Sequence, residues 1–71
     1  MTNQLTVDQL IKQVEQWSKD KDLHNGNPDR QALKFYEEAG EVGAALSRGN
    51  LEALKDGIGD TVVTLIILAQ Q

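Results

Sequence analysis

The chain has 71 residues and no cysteine, which limits it to one small domain, excludes disulfides and thiolate metal sites, and fits a reducing, cytoplasmic setting. Seven Lys and Arg against eleven Asp and Glu leave a net charge of -4, which argues against nucleic acid as a partner. A chain this short buries only about 60% of the surface its unfolded form exposes, so association between copies is the expected supplement to its core.

Met1 to Leu10 has no basic start and no continuous apolar stretch, and does not read as a signal peptide. A first helix is expected over Leu5 to Ser18. Thr6 and Gln9 have the spacing of a capping box, and Leu5 with Leu10 that of a hydrophobic staple. Val7, Leu10, Ile11, Val14 and Trp17 recur at three- and four-residue intervals, which marks one face for burial. Lys19 to Pro28 reads as the one clear connection, with His24 solvated inside it.

The second helix is expected from Pro28 to Arg48, capped by Asn27 or Asp29 and stopped by Gly49 and Asn50. A third begins after Asn50 and carries the stripe Leu51, Leu54, Ile58, Val62 and Leu65. Its half from Thr61 to Leu68 is rich enough in β-branched residues to suggest a strand, but a lone strand has no ladder partner in this chain. The apolar run Thr61 to Ala69 falls far short of the roughly 20 residues that cross a bilayer, so no membrane partner is expected. Lying near the carboxyl end without a helix stop signal, it reads as a surface for another chain or as part of a longer fold. The expectation is an all-α single domain over residues 1-71. It is an antiparallel bundle of three helices of roughly 13, 20 and 20 residues, completed by oligomerisation.

The chemistry concentrates in Lys34-Phe35-Tyr36-Glu37-Glu38-Ala39-Gly40-Glu41-Val42. At helical spacing Glu37, Glu38 and Glu41 share an arc of roughly 100°, with Phe35, Ala39, Val42 and Leu46 opposite. Asp56 and Asp60 stack four residues apart on the third helix. Asp60 opens the most apolar stretch of the chain, where an unpaired carboxylate is costly to bury. A glutamate-rich helical face alone is usually solvated surface; the second acidic pair turns the reading toward a cation site. Oxygen-rich donors suit Mg2+ or Mn2+ rather than zinc. Gly40, Gly43, Gly57 and Gly59 each cost about 1 kcal/mol in a helix relative to Ala, which close approach of two helices explains. Trp17 reads as core or interface before base-stacking platform. Lys34 and Lys55 can meet phosphate or pair with nearby acids. The sequence has no GxxxxGK[ST] run, so phosphate is not held by a P-loop.

Gln31-Ala32-Leu33-Lys34-Phe35-Tyr36-Glu37-Glu38-Ala39-Gly40-Glu41-Val42, followed by Lys55-Asp56-Gly57-Ile58-Gly59-Asp60, resembles the all-α nucleoside triphosphate pyrophosphohydrolases, particularly the short MazG-like proteins. The resemblance covers residues from about Trp17 onward and rests on an EExxE motif and a following acidic pair, usually ExxD. It implies a magnesium-dependent hydrolase that cleaves a nucleoside triphosphate to the monophosphate and pyrophosphate, built as a helical bundle assembled into homodimers or homotetramers. Glu38, Glu41 and Asp60 are then magnesium ligands and Asp56 a further one. Glu37 is an added ligand or orients water, which makes Glu37 and Glu38 the catalytic candidates. Lys34, Lys55, Gln31 and Trp17 are the candidate substrate-binding residues. Two departures stand out. Gly57 takes the place of the usual Glu three before Asp60, so Gly57→Glu is expected to raise activity, and family members usually continue with a further helix. The alternative is a non-catalytic interaction module of the same fold.

Overall fold

The computed structural model describes residues 6–71, and the expected Leu5 staple lies outside them. Three α-helices follow one another: α1 (Val7–Asp20), α2 (Pro28–Arg48) and α3 (Leu51–Gln70), with a short 3-10 turn at Leu23–Asn25. Local chemistry sets each end. The Thr6 hydroxyl accepts from the Gln9 amide at 3.1 Å while the Gln9 side chain accepts from the Thr6 amide at 2.8 Å, the reciprocal pairing that satisfies two orphan donors. Asn27, rather than Asp29, caps α2, its Oδ1 accepting from the amides of Asp29 and Arg30. Gly49 closes α2 in the left-handed region at φ 67°, where a residue without Cβ pays no steric penalty. Asn50 starts α3 by accepting from the Ala53 amide.

The β-branched half of α3 is helical, as its stripe requires. Two of its threonines are internally satisfied: Thr61 Oγ1 donates to the Gly57 carbonyl at 2.7 Å and Thr64 Oγ1 to the Thr61 carbonyl at 2.6 Å. A buried hydroxyl thus finds a partner on its own helix.

The two-residue link at Gly49 and Asn50 folds α2 and α3 into an antiparallel hairpin. Gln31 meets Thr64, Glu38 feels Asp60 and Gly57 abuts Val42, so positions on α2 rise as those on α3 fall. The α1 helix runs parallel to α3, with Gln70 Nε2 donating to the Glu15 carbonyl, and among the described residues it packs on α3 but not on α2. The arrangement is a layer with α3 in the middle, not a closed three-helix bundle. It measures 40 × 35 × 16 Å, with a radius of gyration of 13.5 Å against about 11 Å for a compact chain of this length.

A layer encloses little. Ala45 and Ile67 are the buried apolar side chains of the described residues. The face of α1 marked for burial is only partly covered: Ile11 and Val14 are half-buried, while Val7, Leu10 and Trp17 stay exposed. The fully buried residue of α1 is Ser18. His24 also departs from expectation, because it is half-buried and its Nδ1 is enclosed without a hydrogen-bond partner.

Candidate functional site

One broad side of the layer carries two clefts that meet at Asp60. The first, about 360 Å³, has Trp17, Val63 and Ile67 as apolar wall and Gln31, Lys34 and Glu38 at its polar end, beside Asp60. The second, about 370 Å³, is bordered by Glu41, Arg48, Asp56 and Asp60. The spacing of Asp56 and Asp60 places both on this side of α3, and the hairpin register brings Glu38 and Glu41 across from them.

Glu38 is the most constrained carboxyl. Its side chain is only 15% exposed. Desolvation raises its pKa above the usual 4.5, repulsion from Glu41 and then Asp60 adds to this, and a hydrogen bond to the Glu41 carboxyl pushes the same way. Lys34 Nζ lies 4.0 Å from Glu38 Oε1 and pulls the other way without prevailing, as befits a side chain that is 62% exposed and screened by water.

This crowding has a sign in pH. The folded protein holds the Glu38 proton more tightly than the unfolded chain does. Stability therefore falls as pH climbs from 4.5 through the raised value, and the penalty is complete above that window. In metal-free protein Glu38→Gln is expected to melt above the parent near neutral pH and level with it below pH 4.5. Circular dichroism melts across pH check this; a gain of equal size at both ends would refute the crowding.

Gln31 is oriented by the fold. Its Nε2 donates to the Thr64 carbonyl at 3.2 Å, so one edge of the carboxamide is held while the residue lines the first cleft. Thr64 forms part of the same lining, and Arg48 that of the second cleft; neither was singled out from the sequence. Arg48 has the form of an ordinary basic helix end, and only the return of α3 beside it makes it part of a cleft.

Other expected residues stand apart. Glu37 is exposed and lines neither cleft. Lys55 is five residues from Asp60, about 140° around the helix, and so lies toward the other side of α3. Asp60, expected against apolar neighbours, is itself exposed. Among the described residues no three acidic or imidazole side chains come close enough to hold a metal ion together. Gripping one requires the long Glu38 and Glu41 side chains to swing toward Asp60.

Of the four helical glycines only Gly57 marks a close approach. A Cβ there would lie 3.0 Å from Val42 Cγ2 and 3.7 Å from its Cα, whereas Gly40, Gly43 and Gly59 have open space. The position where the resemblance expects an acid is thus packed against α2, and Asp56 borders the acidic cleft beside it.

The chain is similar to the uncharacterized 18.2 kDa protein in the rep-hol intergenic region of Haemophilus phage HP1 (strain HP1c1), with 39% identity over 66 residues. That alignment covers 92% of this chain but 40% of the phage protein, so the chain spans about two-fifths of its relative's length. No family model and no solved structure matches the chain.

Proposed function

We propose that this chain is the helical core of a MazG-like, magnesium-dependent nucleoside triphosphate pyrophosphohydrolase, acting in the cytoplasm as a homodimer or homotetramer. The observation that carries the reading is Glu38, partly buried and crowded by Glu41 and Asp60 from two helices at the polar end of a cleft with an apolar wall.

The donor set fits the ion. All candidate ligands are carboxylate oxygens, as magnesium or manganese prefers, and the mutual repulsion at Glu38 is what a cation relieves. Glu38, Glu41 and Asp60 would hold it, with Asp56 beside them. When bound, magnesium offsets phosphoryl charge and makes water a better nucleophile at neutral pH. Trp17, Val63 and Ile67 offer the base an apolar wall, Gln31 a fixed polar edge, and Lys34, paired with Glu38 and largely exposed, a cation for phosphate. A carboxylate within hydrogen-bond reach of the attacking water would take its proton. Among the described residues no helix is long and apolar enough to cross a membrane.

A second reading, the non-catalytic interaction module, is favoured by the absence of a three-ligand group among the described residues. One experiment separates the two. With magnesium and a panel of nucleoside triphosphates, the enzyme releases pyrophosphate and monophosphate, and orthophosphate is not the first product. Manganese or magnesium also raises the melting temperature, because a ligand held only by the folded state stabilises it, and Asp60→Asn removes that rise. No pyrophosphate from any nucleotide, together with equal metal shifts in parent and Asp60→Asn, leaves the interaction module.

A further inference from the structure

We propose that the side of α3 turned away from the clefts is the surface on which two copies of this chain pack, α3 against α3 and antiparallel. The inference names the contact for the self-association in the functional reading and depends on no catalytic step. Leu51, Lys55, Ile58, Val62, Leu65 and Ala69 follow one another at intervals of four, three, four, three and four residues, and all six are exposed. The pattern repeats every seven residues, from Leu51 to Ile58 to Leu65 and from Lys55 to Val62 to Ala69, and keeps one stripe facing a partner helix. The apolar run near the carboxyl end therefore splits in two. Thr64 and Ile67 turn into the layer, while Val62 and Leu65 remain 49% and 45% exposed, with Ile58 at 50% and Leu51 at 69%.

The stripe has flanking walls. On the α1 side Val7, Ile11 and Glu15 border a groove of about 310 Å³ with Val62 and Leu65. On the α2 side Ala39 and Val42 border one of about 210 Å³ with Ile58 and Val62. A second α3 laid on the stripe has apolar hollows on both sides for its own side chains.

A flat layer leaves more surface uncovered than a compact chain does. The chain exposes 5465 Å², whereas a compact monomer of 7.8 kDa exposes about 4,400 Å². The difference belongs to the layer as a whole, both broad sides together, and a stable interface takes roughly 800 Å² from each partner. Charge permits the contact as well, because the stripe itself holds no acid, Asp56 and Asp60 lie toward the cleft side, and Glu15 is the acid that borders the flanking grooves. Lys55, its one charged member, sets the direction. A parallel pair in register places Lys55 against its own copy. An antiparallel pair with its two-fold axis near Val62 separates the two lysines by about 20 Å along the helix, and sets each beside the small Ala69, with Ile58 near Leu65. Such a contact is self-complementary and closes at two copies.

The chain lacks cysteine, so single thiols report the contact directly. The parent is expected to sediment as a dimer, or as a tetramer built on it, at tens of micromolar. Val62→Asp is expected to raise the dissociation constant at least 100-fold with helix content retained. Val62→Cys treated with a short thiol-specific bifunctional reagent is expected to give covalent dimer, and Leu33→Cys, 64% exposed on α2, to give none. If Val62→Asp fails to fold, the Val62→Cys cross-link decides. A parent that sediments as a folded monomer overturns both this contact and the self-association of the functional reading. An oligomer that survives Val62→Asp, or that cross-links through Leu33→Cys and not Val62→Cys, overturns this contact alone.

Discussion

Glu38→Gln and Asp60→Asn are each expected to lower pyrophosphate release from nucleoside triphosphates by about 100-fold or more, the order seen when one preorganised charge-stabilising group is removed from a reaction centre. Asp20→Asn, at the exposed end of α1, is expected to leave the rate within about twofold. The distinguishing feature is the sign of the stability change. Desolvation, and after it repulsion from Glu41 and Asp60, raises the proton affinity of Glu38, so either neutral substitution relieves like charge in the metal-free protein. The variants should be less active and more heat-stable near neutral pH. An inactive variant that is merely misfolded shows the opposite stability change, and a contaminating phosphatase shows no dependence on either residue. Parallel assays of pyrophosphate and melting temperature, with and without magnesium, check both. Unchanged turnover in Glu38→Gln would remove the acidic cluster from the reaction.

Gly57→Glu is expected to destabilise the hairpin and not to raise activity. On the sequence alone, an acid three before Asp60 completes the family pattern. In the fold, however, a Cβ at this position meets Val42 Cγ2 at 3.0 Å, and valine in a helix has one strongly preferred rotamer with which to yield. Overpacking of this kind costs about 1–3 kcal/mol, a fall of roughly 5 to 20 °C in melting temperature for a domain of this size, before any cost of placing the carboxylate there. Gly57→Ala isolates the steric part. Alanine gains about 1 kcal/mol of helix propensity over glycine, offset here by the Val42 contact, so the single variant should be close to neutral. In a Val42→Ala background the offset disappears, and adding Gly57→Ala should then stabilise by about 1 kcal/mol. Denaturant midpoints for the four proteins of that cycle measure the coupling. Additive effects, or a Gly57→Glu protein as stable as its parent, would show that α2 and α3 do not approach closely here.

The termini of the helices were legible because capping is local. Thr6 with Gln9, Asn27 before Pro28, and Gly49 with Asn50 each act through hydrogen bonds or dihedral angles a few residues away. The sharing of a face by Asp56 and Asp60, and by Glu38 and Glu41, was legible for the same reason, since it follows from helical spacing alone.

Periodicity describes a helix only about its own axis, and says nothing of which neighbour covers which side. That is why Val7, Leu10 and Trp17, marked for burial, remain exposed in a layer where α1 packs on α3 alone. It is why one glycine of four marks a close approach and why His24 is half-buried. The amino acids by themselves determined three helices, their ends and the faces that carry charge. Only the tertiary structure decided that α3 lies in the middle, with acids gathered on one side and an uncovered apolar stripe on the other, because contacts between helices join residues far apart in the chain.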